Sequence, residues 1–178
     1  MSSLVIKPLT SSDIPKVRAL HLTLLSGRVC LVAYHPANPT DPVAFVSASL
    51  QENPRVNDLT KSLFLDGKIS PDNKVDQGTP HIEILTLGVL PAYQQQGIAR
   101  LLVQQVHDYF RDHSTPSRRL SDSSLIHTNV ATSNISALKF YEHMGLKVAS
   151  GVIRNLYRAC PHGSKDGYLL VGRLSPCT

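Results

Sequence analysis

The chain contains no tryptophan, and aromatic residues fill 6% of its 178 positions. Single-stranded nucleic acid is held on aromatic platforms beside clustered basic residues, and neither arrangement is present. No specific nucleic-acid partner is expected. No apolar run approaches the ~20 residues of a bilayer-spanning helix, so no membrane segment is expected either. The first ten residues, MSSLVIKPLT, lack the charged start and long apolar core of a secretory signal. The expected location is the cytoplasm, with the nucleus as an extension. Cysteine is scarce too: Cys30, Cys160 and Cys177 are odd in number and scattered. That pattern argues against a disulfide framework or a CxxC metal site, and points to reduced thiols and no metal.

What is present suits an ordinary globular domain, with 42% hydrophobic and 17% charged residues. The net charge of +5 fits an anionic ligand but is spread along the chain. Leu4 to Pro8 reads as a strand. Behind possible caps at 10–13, Ile14, Val17, Leu20, Leu24 and Leu25 form a helical stripe. Only Ser26 and Gly27 separate it from a strand over Val29 to Tyr34, and the turn cluster 38–42 leads into a strand over Val43 to Leu50. Residues 52–80 are rich in Asn, Asp, Lys, Gly and Pro around one apolar island at 63–65. A connection of that length is uncommon in a compact domain and reads as a long polar hairpin insertion. Leu125 to Ala131 is the next strand. Ala137, Leu138, Phe140 and Tyr141 give a short helix, closed by Gly145 as a left-handed cap. Leu146 to Tyr157 and Gly167 to Leu174 read as the last strands. The order predicts one α/β domain over 1–178, a mixed sheet with helices on its faces.

The stretch from His81 to Arg100 organises the rest. Ile82, Ile84, Leu85, Leu87, Val89 and Leu90 mark a buried strand, which Pro91 stops. Gly97, Ile98 and Ala99 then open a helix whose apolar positions Leu101, Leu102, Val106 and Tyr109 carry it to about Asp112. A strand, a small-residue loop and a helix N-terminus together can hold phosphate. The first-turn amides lack partners, and the helix dipole adds partial positive charge.

Two segments carry a family resemblance. Leu87-Gly88-Val89 with Gln94-Gln95-Gln96-Gly97-Ile98-Ala99 resembles the acyl-CoA loop of the GNAT acetyltransferase superfamily, Q/R-x-x-G-x-G/A. The run from Asn134 to Leu146, NISALKFYEHMGL, resembles that superfamily's N-x-x-A-x-x-F-Y-x-x-x-G-F segment. Both look most like the protein N-terminal acetyltransferases, and most of all the catalytic subunit of NatE. The resemblance implies the GNAT fold, a mostly antiparallel mixed sheet whose strands splay at the acetyl-CoA site. It implies acetyl-CoA as donor, with amides of the Leu87-Gly88-Val89 run, at Leu87 and Val89, holding pantetheine and acetyl group. Residues Gln94 to Ala99 and Arg100 would hold the pyrophosphate, with Asn134 and Tyr141 facing the cofactor from the other side. The partner it implies is a peptide or nascent-chain N-terminus, Met followed by a hydrophobic residue. Docking on the NatA complex and the ribosome is a further suggestion.

Family members transfer acetyl directly to an amine that must first lose a proton. Glu83 is the first candidate base: it lies on the central strand, fourteen residues before Gly97, where many superfamily members carry a catalytic Glu and NatE-like enzymes a Tyr. A carboxylate among Ile82, Ile84 and Leu85 also calls for an explanation. His127 and Asn129, two apart and hence on one strand face, are the alternatives. NatE-like enzymes place a His where this chain has Asn129, five residues before Asn134. Tyr141 is the candidate acid for the departing thiolate, and the Leu87 amide for the oxyanion. Leu25, Leu156 and Tyr157 match positions around the peptide groove of relatives. The peptide-gripping segment that follows the first helix in NatE-like enzymes is missing after Leu25. A lysine or small-amine acetyltransferase therefore stands as the alternative activity, and a weakly active NatA-docking subunit as the alternative of another class.

Overall fold

Runs of β-branched and aliphatic residues, with polar residues at alternate places, build seven strands into one sheet. They are β1 (Val5–Pro8), β2 (Arg28–His35), β3 (Asn38–Gln51), β4 (His81–Val89), β5 (Ser124–Ala131), β6 (Lys147–Val148) and β7 (Gly167–Leu174). The computed structural model describes residues 5–8, 27–51, 80–113, 120, 124–158 and 163–174. The helix expected near 10–25, Leu25 with it, and the insertion at 52–79 lie outside these residues, as do Cys160 and Cys177. Spatial order is β1-β2-β3-β4-β5-β7-β6. Every neighbouring pair is antiparallel except β4–β5, which is parallel and joined through a helix. This is the expected mixed, mostly antiparallel sheet. Among the described residues no helix is long and apolar enough to cross a membrane.

That connecting helix, α1 (Ile98–His113), lays Ile98, Leu102, Val103, Val106 and Phe110 on one sheet face. There they meet Leu31, Ala33, Val46, Ala48, Ile82, Ile84, Ile126 and Val130 in the main core. Each of these large side chains contributes roughly 1.5–3 kcal/mol by burial. The second helix, α2 (Ile135–His143), ends as its sequence predicts. Gly145 sits at φ 87, its N–H donates to Glu142 O, and Leu146 N–H donates to Tyr141 O. These two bonds make a Schellman cap. The opposite sheet face carries a smaller cluster of Leu125, Leu169 and Val171, with Ala149 and Ile153 packed against it.

Three local expectations fail. The strand proposed over Leu146 to Tyr157 stops after Val148. The Ser150 hydroxyl then accepts the Leu169 N–H at 2.9 Å, so a side chain takes the place of a ladder carbonyl. Beyond it the chain follows β7 irregularly, through Ile153 to Gly167 and Tyr157 to Lys165. Leu85, expected in the core, is 39% exposed. Ser47 pairs with Thr86 and Ala48 with Ile84, so Leu85 is the extra residue of a bulge. Leu90 and Leu101, 51% and 42% exposed, also fall outside the core.

Candidate active site

β4 and β5 pair from His81↔Leu125 to Ile84↔Thr128 and no further. Beyond that, Leu87 to Val89 pair only with β3, and Asn129 to Ala131 only with β7. The sheet therefore opens into a fork between its two parallel strands, beginning at the Leu85 bulge. This is the splay the sequence resemblance implies.

On the main-core side the fork leads to the loop between β4 and α1. A 3₁₀ turn, Pro91–Tyr93, starts that loop. Gln94 ties it to the end of β4 by donating from Nε2 to Val89 O at 3.0 Å, and Gln96 donates to Ala92 O at 3.2 Å. Gln95 and Gly97 both take left-handed backbone, at φ 60 and 80. Gln95 accepts a conformation uncommon for its type, which glycine adopts without strain. A Cβ on Gly97 would meet nothing within 4 Å, so glycine serves the backbone turn there and leaves open space above it. The helical ladder begins when Leu101 N–H donates to Gly97 O at 3.0 Å. The amides of Ile98, Ala99 and Arg100 accordingly face out of the first turn, as at any helix start. Ile98 anchors the turn at 2% exposed, while Arg100 is exposed. Converging amides, a helix N-terminus and an adjacent cation make a set of donors that fits a pyrophosphate. Leu87, Gly88 and Val89 lie along one arm of the fork, and the Phe45 ring lies against Gly88, 3.0 Å from where a Cβ would stand.

From the other arm comes α2. Asn134 is its N-cap: its Oδ1 accepts the Ala137 N–H at 3.1 Å. Tyr141 is 5% exposed and hydrogen-bonds Thr128, whose own Oγ1 donates to Ile84 O at 3.0 Å. Burial pushes the Tyr141 hydroxyl up to about 12, offset by the Thr128 bond and reinforced by nearby Tyr157. Tyr141 thus keeps its proton at physiological pH. Leu156 and Tyr157, from the irregular segment after β6, pack over β7 at Gly167, and a Cβ there would stand 2.6 Å from Leu156 Cδ2.

On the second sheet face, the strands line up Arg28, Ser49, Glu83 and His127 as successive cross-strand partners. Glu83 Oε2 accepts from Gln51 Nε2 at 2.9 Å and from Ser49 Oγ at 3.3 Å, and Gln51 Nε2 also reaches Ser49 Oγ at 3.1 Å. Glu83 is half-buried, one pair before the fork opens. His127 is buried, its ring 5.1 Å from that of His81. Desolvation, then the charge of His81, lowers His127 to about 3, against a backbone bond at Ile82 that raises it. It is neutral at physiological pH. Asn129 shares the strand face of His127 but lies past the last parallel pair and is exposed. The structure thus brings Glu83 and His127 side by side, sets Tyr157 close enough to influence Tyr141, and puts Asn129 at the fork's mouth. Sequence reasoning missed Ser49, Gln51, His81 and Thr128. The signal for the first two was a polar alternation, Ser47-x-Ser49-x-Gln51, inside an otherwise apolar strand.

A mixed sheet forked between its two parallel strands, with a small-residue loop and a helix N-terminus at the fork, is the frame in which the comparisons with known proteins fall. The model of the acetyltransferase (GNAT) family matches residues 17–146, and the chain belongs to that family. No curated protein sequence matches the chain. Among solved structures, Arabidopsis thaliana NAA60 in complex with acetyl-CoA is similar at TM-score 0.64 and 20% identity, over 97% of this chain and 99% of that one. Arabidopsis thaliana Naa50 with the bisubstrate analogue CoA-Ac-MVNAL is similar at 0.59 and 19%, over 95% and 97%. The ribosomal-protein-S18-alanine N-acetyltransferase of Escherichia coli is similar at 0.58 and 16%, over 99% and 97%. At these identities the likeness is one of fold.

Proposed function

We propose that this acetyltransferase is a protein N-α-acetyltransferase that uses acetyl-CoA and acts on the N-terminal amine of a peptide. The observation that carries the reading is the fork itself. One side of it presents the phosphate-binding loop and a protonated Tyr141, the other a carboxylate at Glu83. Leu87 to Arg100 hold the donor, with the acetyl group at the fork. Glu83 takes one proton from the incoming ammonium through a water, the amine nitrogen bonds to the acetyl carbon as the C–S bond breaks, the departing thiolate takes the Tyr141 proton, and the second nitrogen proton returns through water to the tyrosinate. An α-amine, with a pKa near 8, needs only modest help to lose its proton. Support comes from the solved structures that share the fold, several of which are N-terminal acetyltransferases, one holding an analogue of a Met-Val peptide. A Met-hydrophobic start is the preferred acceptor in this reading, and the cytoplasm, on nascent chains, its place of action; docking on NatA belongs to the same proposal.

A lysine or small-amine acceptor is the second reading, and Glu83 itself favours it. A carboxylate base at that strand position suits an amine of higher pKa, near 10.4 for lysine. A library of N-terminal peptides, lysine peptides with blocked N-termini and free polyamines, each assayed with acetyl-CoA, separates them. Turnover confined to free N-termini supports the first reading. Turnover on blocked lysine peptides or polyamines supports the second. Acetyl-CoA binding without turnover on any acceptor points to a docking subunit.

A further inference from the structure

The hydrogen bonds on Glu83 are all on one oxygen. Among the described residues, Gln51 and Ser49 donate to Oε2, at 2.9 and 3.3 Å, and Oε1 accepts from none. Both donors come from β3, whose ladder places Ser49 directly opposite Glu83 and Gln51 opposite His81. Gln51 also bonds Ser49, so the two side chains form a bracket with the carboxylate as its third corner. Ser49 is 4% exposed, which keeps water from competing for its hydroxyl. A carboxylate held this way has one oxygen fixed by two donors, one strand position before the fork opens.

We infer that Ser49 and Gln51 are positioning residues for the proton-removing carboxylate. They fix the Glu83 plane and leave Oε1 to take the proton of the acceptor amine through water. This rests on the proposed role of Glu83 as base. Donors to the charged form of a carboxylate favour ionisation, so losing them makes the group harder to ionise. The other titratable groups on this sheet face include Arg28 opposite Ser49, Cys30 on β2, His81 two residues along β4, His127 on β5, Arg173 on β7 opposite Leu125, and Lys147 on β6. His127 stays neutral down to about pH 3, so its own titration lies at the far acidic end of any profile.

The experiment is a kcat/KM pH profile of Gln51→Leu, Gln51→Glu and Ser49→Thr against the unmodified enzyme. Acetyl-CoA affinity is measured separately on each. Gln51→Leu is expected to lower kcat about tenfold and move the acidic limb to higher pH, with acetyl-CoA affinity unchanged. Gln51→Glu sets a second carboxylate against the first and should move the limb further the same way. Ser49→Thr keeps the hydroxyl and should retain the original limb. A Gln51→Leu enzyme that binds acetyl-CoA normally, with a profile superimposable on the unmodified one, overturns the inference. So does a Gln51→Leu loss of turnover with no movement of the limb, which a purely structural role would give. Should the leucine variant fail to bind acetyl-CoA, Gln51→Glu, of the same size and half-exposed, decides by the same criterion. Glu83→Gln separates the two levels. Retained turnover there refutes Glu83 as base, whereas lost turnover with an unmoved Gln51→Leu profile refutes only the bracket.

Discussion

The Thr128 hydroxyl donates to the Ile84 carbonyl at 3.0 Å, across the last pair of residues at which β4 and β5 remain together. The same hydroxyl meets Tyr141. One buried side chain therefore fixes where the sheet divides and where the candidate acid sits. With its proton given to Ile84 O, Thr128 accepts from a neutral Tyr141. Once Tyr141 has donated its proton, the Thr128 hydroxyl can turn to the tyrosinate. Thr128→Val preserves shape and removes both bonds. It should cost about 1–3 kcal/mol of stability, the range for an orphaned buried partner, and lower kcat. Tyr141→Phe should lower kcat by about a hundredfold or more, a general-acid contribution, with little change in acetyl-CoA affinity. Steady-state kinetics with calorimetric binding checks both. A large affinity loss for Tyr141→Phe alone would make it a binding residue.

Gly97 separates backbone geometry from packing. Its φ of 80 is unfavourable for an L-residue, yet nothing stands within 4 Å of a Cβ built there. Gly97→Ala should cost roughly 1 kcal/mol, the left-handed penalty, and weaken acetyl-CoA binding several-fold by re-aiming the loop amides. Desulfo-CoA titration and a thermal melt measure the two effects independently.

Gly167 offers a test of the acceptor role proposed for Leu156 and Tyr157. A Cβ there would stand 2.6 Å from Leu156 Cδ2, 3.2 Å from the Tyr157 ring and 3.0 Å from Val130 O. The last of these is backbone and cannot swing aside. Gly167→Ala should displace the Leu156–Tyr157 segment and raise the acceptor KM while acetyl-CoA affinity holds. Equal KM values for the acceptor would remove that segment from the acceptor site.

His127 makes stability depend on pH. Its folded pKa of about 3 lies below the unfolded value of 6.5, so between those values the unfolded chain binds the extra proton. Stability contributed by the neutral ring is complete above pH 6.5 and declines as pH falls toward 3. The slope is at most about 1.4 kcal/mol per pH unit for one proton. Urea unfolding at several pH values should show this slope reduced by one proton in His127→Leu.

Much of the site was legible because its parts are local. The left-handed cap at Gly145 and the β4–loop–α1 unit depend on neighbours in sequence, and residue type announces each. What stayed hidden depends on partners far along the chain. The Leu85 bulge is invisible in ILTLGVL, since apolar residues fall at both odd and even positions and leave no strict alternation for an extra residue to break. Gln51 and Glu83 are 32 positions apart, and only the β3–β4 register joins them. Ser150 ended a strand that aliphatic residues favoured, because its hydroxyl took over the Leu169 N–H. Asn134 holds the start of α2, a role its residue type advertises.

The fork also makes the protein's resistance to heat a readout of what it holds. Along its arms, β4 and β5 each give up one ladder partner, so a bound molecule carrying amides of its own can gain hydrogen bonds there without breaking any. Such a molecule stabilises the folded chain by mass action, with RT ln(1 + [L]/Kd) growing by about 1.4 kcal/mol per decade of concentration above Kd. The melting temperature should therefore climb steadily with CoA long after the site is saturated. In a cell, the lifetime of this protein would then follow the supply of whatever ligand fills the fork.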